Sequence, residues 1–146
     1  MDRDNLKIEV LISFVRALNE DFIPELSSRV DIGRWIRKII QSGRVIVAEQ
    51  DGKIVGLIAF YANNRETSKG YISYLAVSSE YRKQGIATGL LQRCFTQSKL
   101  AGMKTIDIHT NNPDANRFYV KIGFKLQEQE EQPEYGLIRY HLERQL

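Results

Sequence analysis

Cysteine, histidine and proline are scarce in this 146-residue chain, and each scarcity removes a class of explanation. The one cysteine, Cys94, has no partner for an internal disulfide, which excludes a disulfide-stapled scaffold and fits a reducing compartment. With only two histidines, His109 and His141, a zinc site has almost no ligands to draw on. No apolar run approaches the roughly 18 residues of a membrane-spanning helix. The opening stretch MDRDNLKIEV alternates charges and lacks the apolar core of a secretory signal. Nor is there a repeat, a low-complexity tract or a linker. The expectation is a cytoplasmic, metal-free single domain over residues 1–146, with no membrane association.

What is present supports a packed core: 42% of residues are hydrophobic and 27% charged, too apolar for a disordered chain. The net charge of +3 is unevenly spread. Residues 1–50 are balanced, residues 51–110 carry eight basic against four acidic side chains, and residues 111–146 carry five against six. That excess is too thin for a surface tracking a nucleic-acid backbone, so no nucleic-acid partner is expected. A local site for a small polyanion fits better.

The periodicities give the element order α-α-β-β-β-α-β-α-β-β. Leu6, Val10, Phe14 and Leu18 recur at helical spacing, and Ile32, Trp35, Ile36, Ile39 and Ile40 form a second helical stripe. Asp31 reads as its N-cap and Gly43 as its C-cap, with Pro24 between the two helices. Strands are expected over 45–49 and 53–62, joined by Asp51-Gly52, a strong hairpin signal. Further strands are expected over 71–77, 105–110, 124–129 and 137–142, with helices from Ile86 to near Gly102 and from Pro113 to Gly123.

The segment with the most chemical content is the strand–turn–helix from Tyr74 to Leu91. A helix N-terminus presents unpaired N–H groups and about half a positive charge, which attract anions. Gly85 and Ala87 allow a phosphate close to the backbone, and Arg82 and Lys83 add formal charge. A plain basic turn is the simpler alternative. The patterns of nucleotide triphosphatases and dinucleotide-binding domains are both absent.

Arg82-Lys83-Gln84-Gly85-Ile86-Ala87 resembles instead the [RQ]-x-x-G-x-[GA] signature of the GNAT superfamily of N-acetyltransferases. Leu75-Ala76-Val77 resembles the end of that family's fourth strand. The stretch from Asn112 to Phe124 is similar to its second block, N-x-x-A-x-x-[FL]-Y-x-K-x-G-F. The element order agrees over the whole chain, except that the family's first strand is not evident before the first helix. The resemblance implies a mixed α/β fold with a largely antiparallel, centrally splayed sheet flanked by helices. It implies an acyltransferase using acetyl-CoA as co-substrate and an amine acceptor, either a small molecule or a protein amine.

Roles follow from the resemblance. Leu75, Ala76 and Val77 would meet the pantetheine arm through their backbone. Arg82, Lys83, Gln84, Gly85, Ile86, Ala87 and Thr88 would cradle the pyrophosphate. Tyr119 matches the family's tyrosine that protonates the departing thiolate, and also touches the cofactor; ordinary packing of one of seven tyrosines is the alternative. Asn112 is first a helix cap and then a cofactor contact, and Asn116, on the same helical face as Tyr119, would also touch the cofactor. Lys121 reads first as part of a solvated helix surface, with a phosphate contact as the alternative.

The base that frees the amine is the least determined feature. The strand beginning Tyr71-Ile72-Ser73-Tyr74 has no carboxylate, leaving Glu49, Tyr71 or Tyr74 through water, or no dedicated base. Cys94 and Trp35 read as packing residues. The resemblance puts His109 at the end of the strand beside the splayed centre of the sheet, where it would line the site, but His109 and His141 lie far apart in sequence and suggest no triad. The run Glu128, Glu130, Glu131 and Glu134 reads as solvated surface. Acceptor choice is assigned to residues 19–30 and 130–136, where Asp21, Glu25 and Glu134 would favour a cation, or to a homodimer partner. A non-catalytic acyl-CoA-binding sensor of the same fold is the competing reading.

Overall fold

In a computed structural model, residues 3–22 and 25–146 are described; Pro24 lies outside them. Two helices, α1 (Arg3–Ala17) and α2 (Ile32–Ser42), precede strands β1 (Arg44–Gln50), β2 (Lys53–Tyr61) and β3 (Lys69–Val77). Helix α3 (Ile86–Leu100), β4 (Thr105–Thr110), α4 (Pro113–Lys121), β5 (Lys125–Gln132) and β6 (Leu137–Gln145) follow. This is the expected order, and no strand precedes α1 among the described residues. The last two strands run past their expected ends, because polar edge positions carry no hydrophobic signal even where the backbone ladder continues.

Local chemistry accounts for most boundaries. Asp31 caps α2, its carboxylate accepting from the Arg34 amide at 3.0 Å. Asp51 and Gly52 both take positive φ, 53° and 76°, as the tight β1–β2 turn requires. Asn112 caps α4 by accepting from the amides of Asp114 and Ala115, and Pro113 occupies the first turn.

Helix α1 departs from the expected stripe. Its buried face is Leu11, Ile12, Phe14 and Val15, whereas Val10 is 45% exposed. A strict four-residue step drifts by about 40° per step around a helix of 3.6 residues per turn. The stripe that stays in register is therefore Ile8, Leu11, Ile12 and Val15. Ile40 turns away from the core of α2 for the same reason.

The six strands form one sheet in the order β1-β2-β3-β4-β6-β5, antiparallel except for β3 with β4. Alternate residues of β2 feed two cores. Leu57 and Ala59 pack with α1 and α2, while Ile58 and Phe60 pack with α3, Phe124 and Tyr119. Gly56 brings α3 close, since a Cβ there would sit 3.0 Å from Ile86 and 3.1 Å from Leu90. No helix among the described residues is long and apolar enough to cross a membrane.

Candidate active site

The β3–β4 junction opens partway along. The parallel register pairs Lys69–Ile72 of β3 only with Thr105–Ile108 of β4. Beyond it, Tyr74, Leu75, Ala76 and Val77 are paired with β2 alone, and His109 and Thr110 with β6 alone. Ser73 is the extra residue of a bulge opposite Ala59 and Phe60, which bends β3 away at that point. The resulting wedge leaves backbone donors and acceptors of residues 74–77 facing β4 without a ladder partner.

At the mouth of the wedge stands the N-terminus of α3. Gly85 is its N-cap, at φ 79°, and no side chain caps the helix. The first helical bond in this turn runs from the Gly89 amide to the Gly85 carbonyl. The amides of Ile86, Ala87 and Thr88 are therefore presented outward. Lys83 also has positive φ, 63°, and a Cβ on Gly85 would meet nothing within 4 Å. A concave run of exposed amides with left-handed residues is a nest for an anion.

Arg82 is placed differently from Lys83. Its guanidinium donates to the Val77 carbonyl at 3.0 Å and to Asp21 at 2.8 Å, tying the segment after α1 to the end of β3. Asn112 spends its carbonyl oxygen on the α4 cap. The Asn116 carbonyl oxygen is buried and has no partner. Tyr119 is 7% exposed, in van der Waals company with Phe118 and Phe124, and in the cluster against which Leu75 and Ile86 pack. Burial raises its pKa above the ordinary phenol value, so it is a neutral donor at physiological pH. Burial likewise pushes the Cys94 thiol up to about 12, leaving it inert.

Glu49 is not brought to this junction. It lies exposed on the outer strand β1, opposite Ile54 at a register shift, and β2 stands between it and β3. The polar groups that do gather at the wedge come from the other face of the sheet. Ile106, Ile108 and Leu142 point into the α3–α4 core, so Asp107, His109, His141 and Glu143 point the opposite way. Tyr71 is in register with Asp107, and its ring lies 5.8 Å from that of His109. The two histidines, distant in sequence, stack with centroids 4.5 Å apart and planes 15° apart. His141 shares a 2.9 Å hydrogen bond with Asp107.

Asp107 was not among the expected site residues. Its signal was the alternation Ile106-Asp107-Ile108-His109, which puts two titratable groups on one face of a short strand. Burial first, then the charge of Glu143, raises the pKa of Asp107, while His141 opposes the shift. Burial first, then Arg139 and His141, lowers the pKa of His109 to about 4. Tyr71 is shifted up by burial, partly offset by Arg139 and Arg29.

Known proteins similar to this chain agree with this architecture. Residues 11–124 match the model of the acetyltransferase (GNAT) family. The chain belongs to that family. It is 43% identical over 60 residues, 40% of each chain, to N-alpha-acetyltransferase 30 of Schizosaccharomyces pombe. The solved aminoglycoside 6'-acetyltransferase type Ii superposes with a TM-score of 0.79 at 18% identity, over 99% of this chain and 94% of that one. The ribosomal-protein-alanine N-acetyltransferase of Brucella melitensis gives 0.77 at 16% identity, over 97% and 95%. At such identities the structural likenesses establish the fold alone. The chain spans from 25% to 54% of the length of the first curated relatives it matches.

Proposed function

We propose that the protein is an N-acetyltransferase that moves an acetyl group from acetyl-CoA to a primary amine by direct attack within a ternary complex. The observation that carries this reading is the uncapped N-terminus of α3 opening onto the unpaired edge of β3. One end offers a cradle for a pyrophosphate and the other an edge for an extended amide-bearing arm.

The residues present fit acetyl-CoA. The amides of residues 84–88 and the Lys83 side chain suit the pyrophosphate, and the β3 edge at Leu75, Ala76 and Val77 suits the pantetheine amides. The orphaned Asn116 oxygen is an acceptor that a ligand N–H satisfies. Bound acetyl-CoA supplies an activated thioester. A backbone amide at the β3 edge is positioned to steady the oxyanion formed on attack. Tyr119 donates a hydrogen bond to the departing sulfur. With its phenol above the ordinary value near 10 and a thiol near 8.5, complete transfer is uphill, so the bond itself does the work. Arg82, held by Val77 and Asp21, anchors the loop rather than offering a free charge.

The acceptor side is polar and titratable, which suits an amine; a small amine and a protein α-amine both remain within the proposal. The test is release of free CoA from acetyl-CoA against glycine, kanamycin and a short peptide with a free N-terminal alanine. Release with at least one supports N-acetyltransfer. Tight acetyl-CoA binding with no release in any case would favour a non-catalytic acyl-CoA sensor.

A further inference from the structure

An amine acceptor enters as an ammonium ion and must lose a proton before its nitrogen can attack. Four groups able to take part lie on one face of the sheet where the wedge begins: Tyr71 from β3, Asp107 and His109 from β4, and His141 from β6. Their geometry makes them unequal. Asp107 has one carboxylate oxygen bonded to His141 and the other buried without a partner, and its side chain is 15% exposed. His109 has its Nδ1 buried without a partner. His141 is 25% exposed, with Nε2 committed to Asp107.

Resting on the acetyltransfer reading above, we propose that His141, oriented by Asp107, is the base that takes the acceptor's proton. A carboxylate bonded to one imidazole nitrogen holds that nitrogen as the N–H and leaves the other as the lone pair. Here Asp107 accepts from Nε2–H, so Nδ1 of His141 is the proton acceptor. His109 is stacked against it and stays neutral, its pKa pushed down to about 4, so the charge formed on the pair resides on His141.

The remaining charges around the ring are mixed. Glu128 of β5 stands opposite His141 on the same side of the sheet, and Glu143 and Arg139 flank it two residues away along β6. Lys69 of β3 is 3.1 Å from Glu143, and Arg29 acts on Tyr71 from the segment before α2. The anionic Asp107 and Glu128 therefore face the imidazolium, while Lys69 and Glu143 neutralise each other. In the step itself the acceptor's N–H bond breaks and its proton moves to His141 Nδ1. The lone pair left on nitrogen forms the C–N bond to the acetyl carbon. The C–S bond then breaks, the sulfur leaves as thiolate with the Tyr119 hydrogen bond, and the excess proton still on the attacking nitrogen passes to water, leaving the neutral amide.

The test uses the full chain, acetyl-CoA and whichever of the three amines above gives the fastest CoA release. His141→Gln should lower kcat/KM by about 10²–10⁴-fold and abolish its acid limb, with acetyl-CoA affinity by calorimetry unchanged. Asp107→Asn should lower it less, because the imidazole remains. Imidazole added to His141→Ala should restore part of the lost rate, a rescue that a purely structural role would not give. A near-normal rate and an intact acid limb in His141→Gln would overturn the assignment, as would inactivity of Asp107→Asn beside an active His141→Gln. A wild-type protein silent with every amine would instead overturn the acetyltransfer reading, and this assignment with it.

Discussion

The two sides of the β3–β4 wedge are built by different means. The proposed cofactor side is nearly contiguous in sequence: the end of β3, the turn after it and the first turn of α3 lie within residues 74–88, and backbone amides would carry most of its chemistry. The proposed acceptor side is assembled from side chains on three strands, with Tyr71, Asp107, His109 and His141 meeting only because β3, β4 and β6 are neighbours in register. A backbone site tolerates changes of side chain but not of conformation. A side-chain site tolerates the reverse.

That contrast can be broken first at Tyr119, the side chain of α4 that we assign to the cofactor side. Tyr119→Phe keeps the packing against Phe118 and Phe124, and should lower kcat by about 10²-fold or more while leaving the acetyl-CoA dissociation constant nearly unchanged. Unaltered turnover would remove Tyr119 from the chemistry. Next is Gly85, where a left-handed φ of 79° is unavailable to a β-branched residue at low cost. Gly85→Val should weaken acetyl-CoA by about 10–100-fold, the equivalent of about 1–3 kcal/mol of strain. Lys83 sits at φ 63° without being glycine, so Lys83→Ala should change affinity only modestly.

The smallest effect concerns stability on the acceptor side. His109 titrates near 6.5 when unfolded and near 4 in the fold. The unfolded chain therefore binds more protons between those values, and stability falls as pH drops from about 6.5 towards 4, with no contribution above that window. His109→Gln should flatten this part of the stability profile in urea titrations taken across pH. An unchanged slope would show that His109 is protonated freely in the fold.

The same contrast explains what the sequence made legible. The element order, the β1–β2 turn, the α2 and α4 caps and the turn before α3 each rest on residues within about five positions of one another. Local rules reached them. Strand pairing is not local. Nothing in the stretch from Tyr71 to Val77 says that the β4 partnership stops at Ile72, and nothing in His109 and His141 says that they stack. Glu49 stands among the base candidates because it is a carboxylate near a strand end, but the β1-β2-β3 order places it outside the wedge. Asp107 was overlooked because its significance comes from being in register with Tyr71 and bonded to a residue 34 positions away. The drift of Val10 and Ile40 out of their helical stripes is a milder case, in which spacing was read correctly but phase was not.

The most direct measurement is backbone hydrogen exchange with and without acetyl-CoA, which needs no acceptor. The account predicts slowed exchange on binding, concentrated at residues 84–88 and along residues 74–77. Protection confined to other segments, or none at saturating acetyl-CoA, would contradict it.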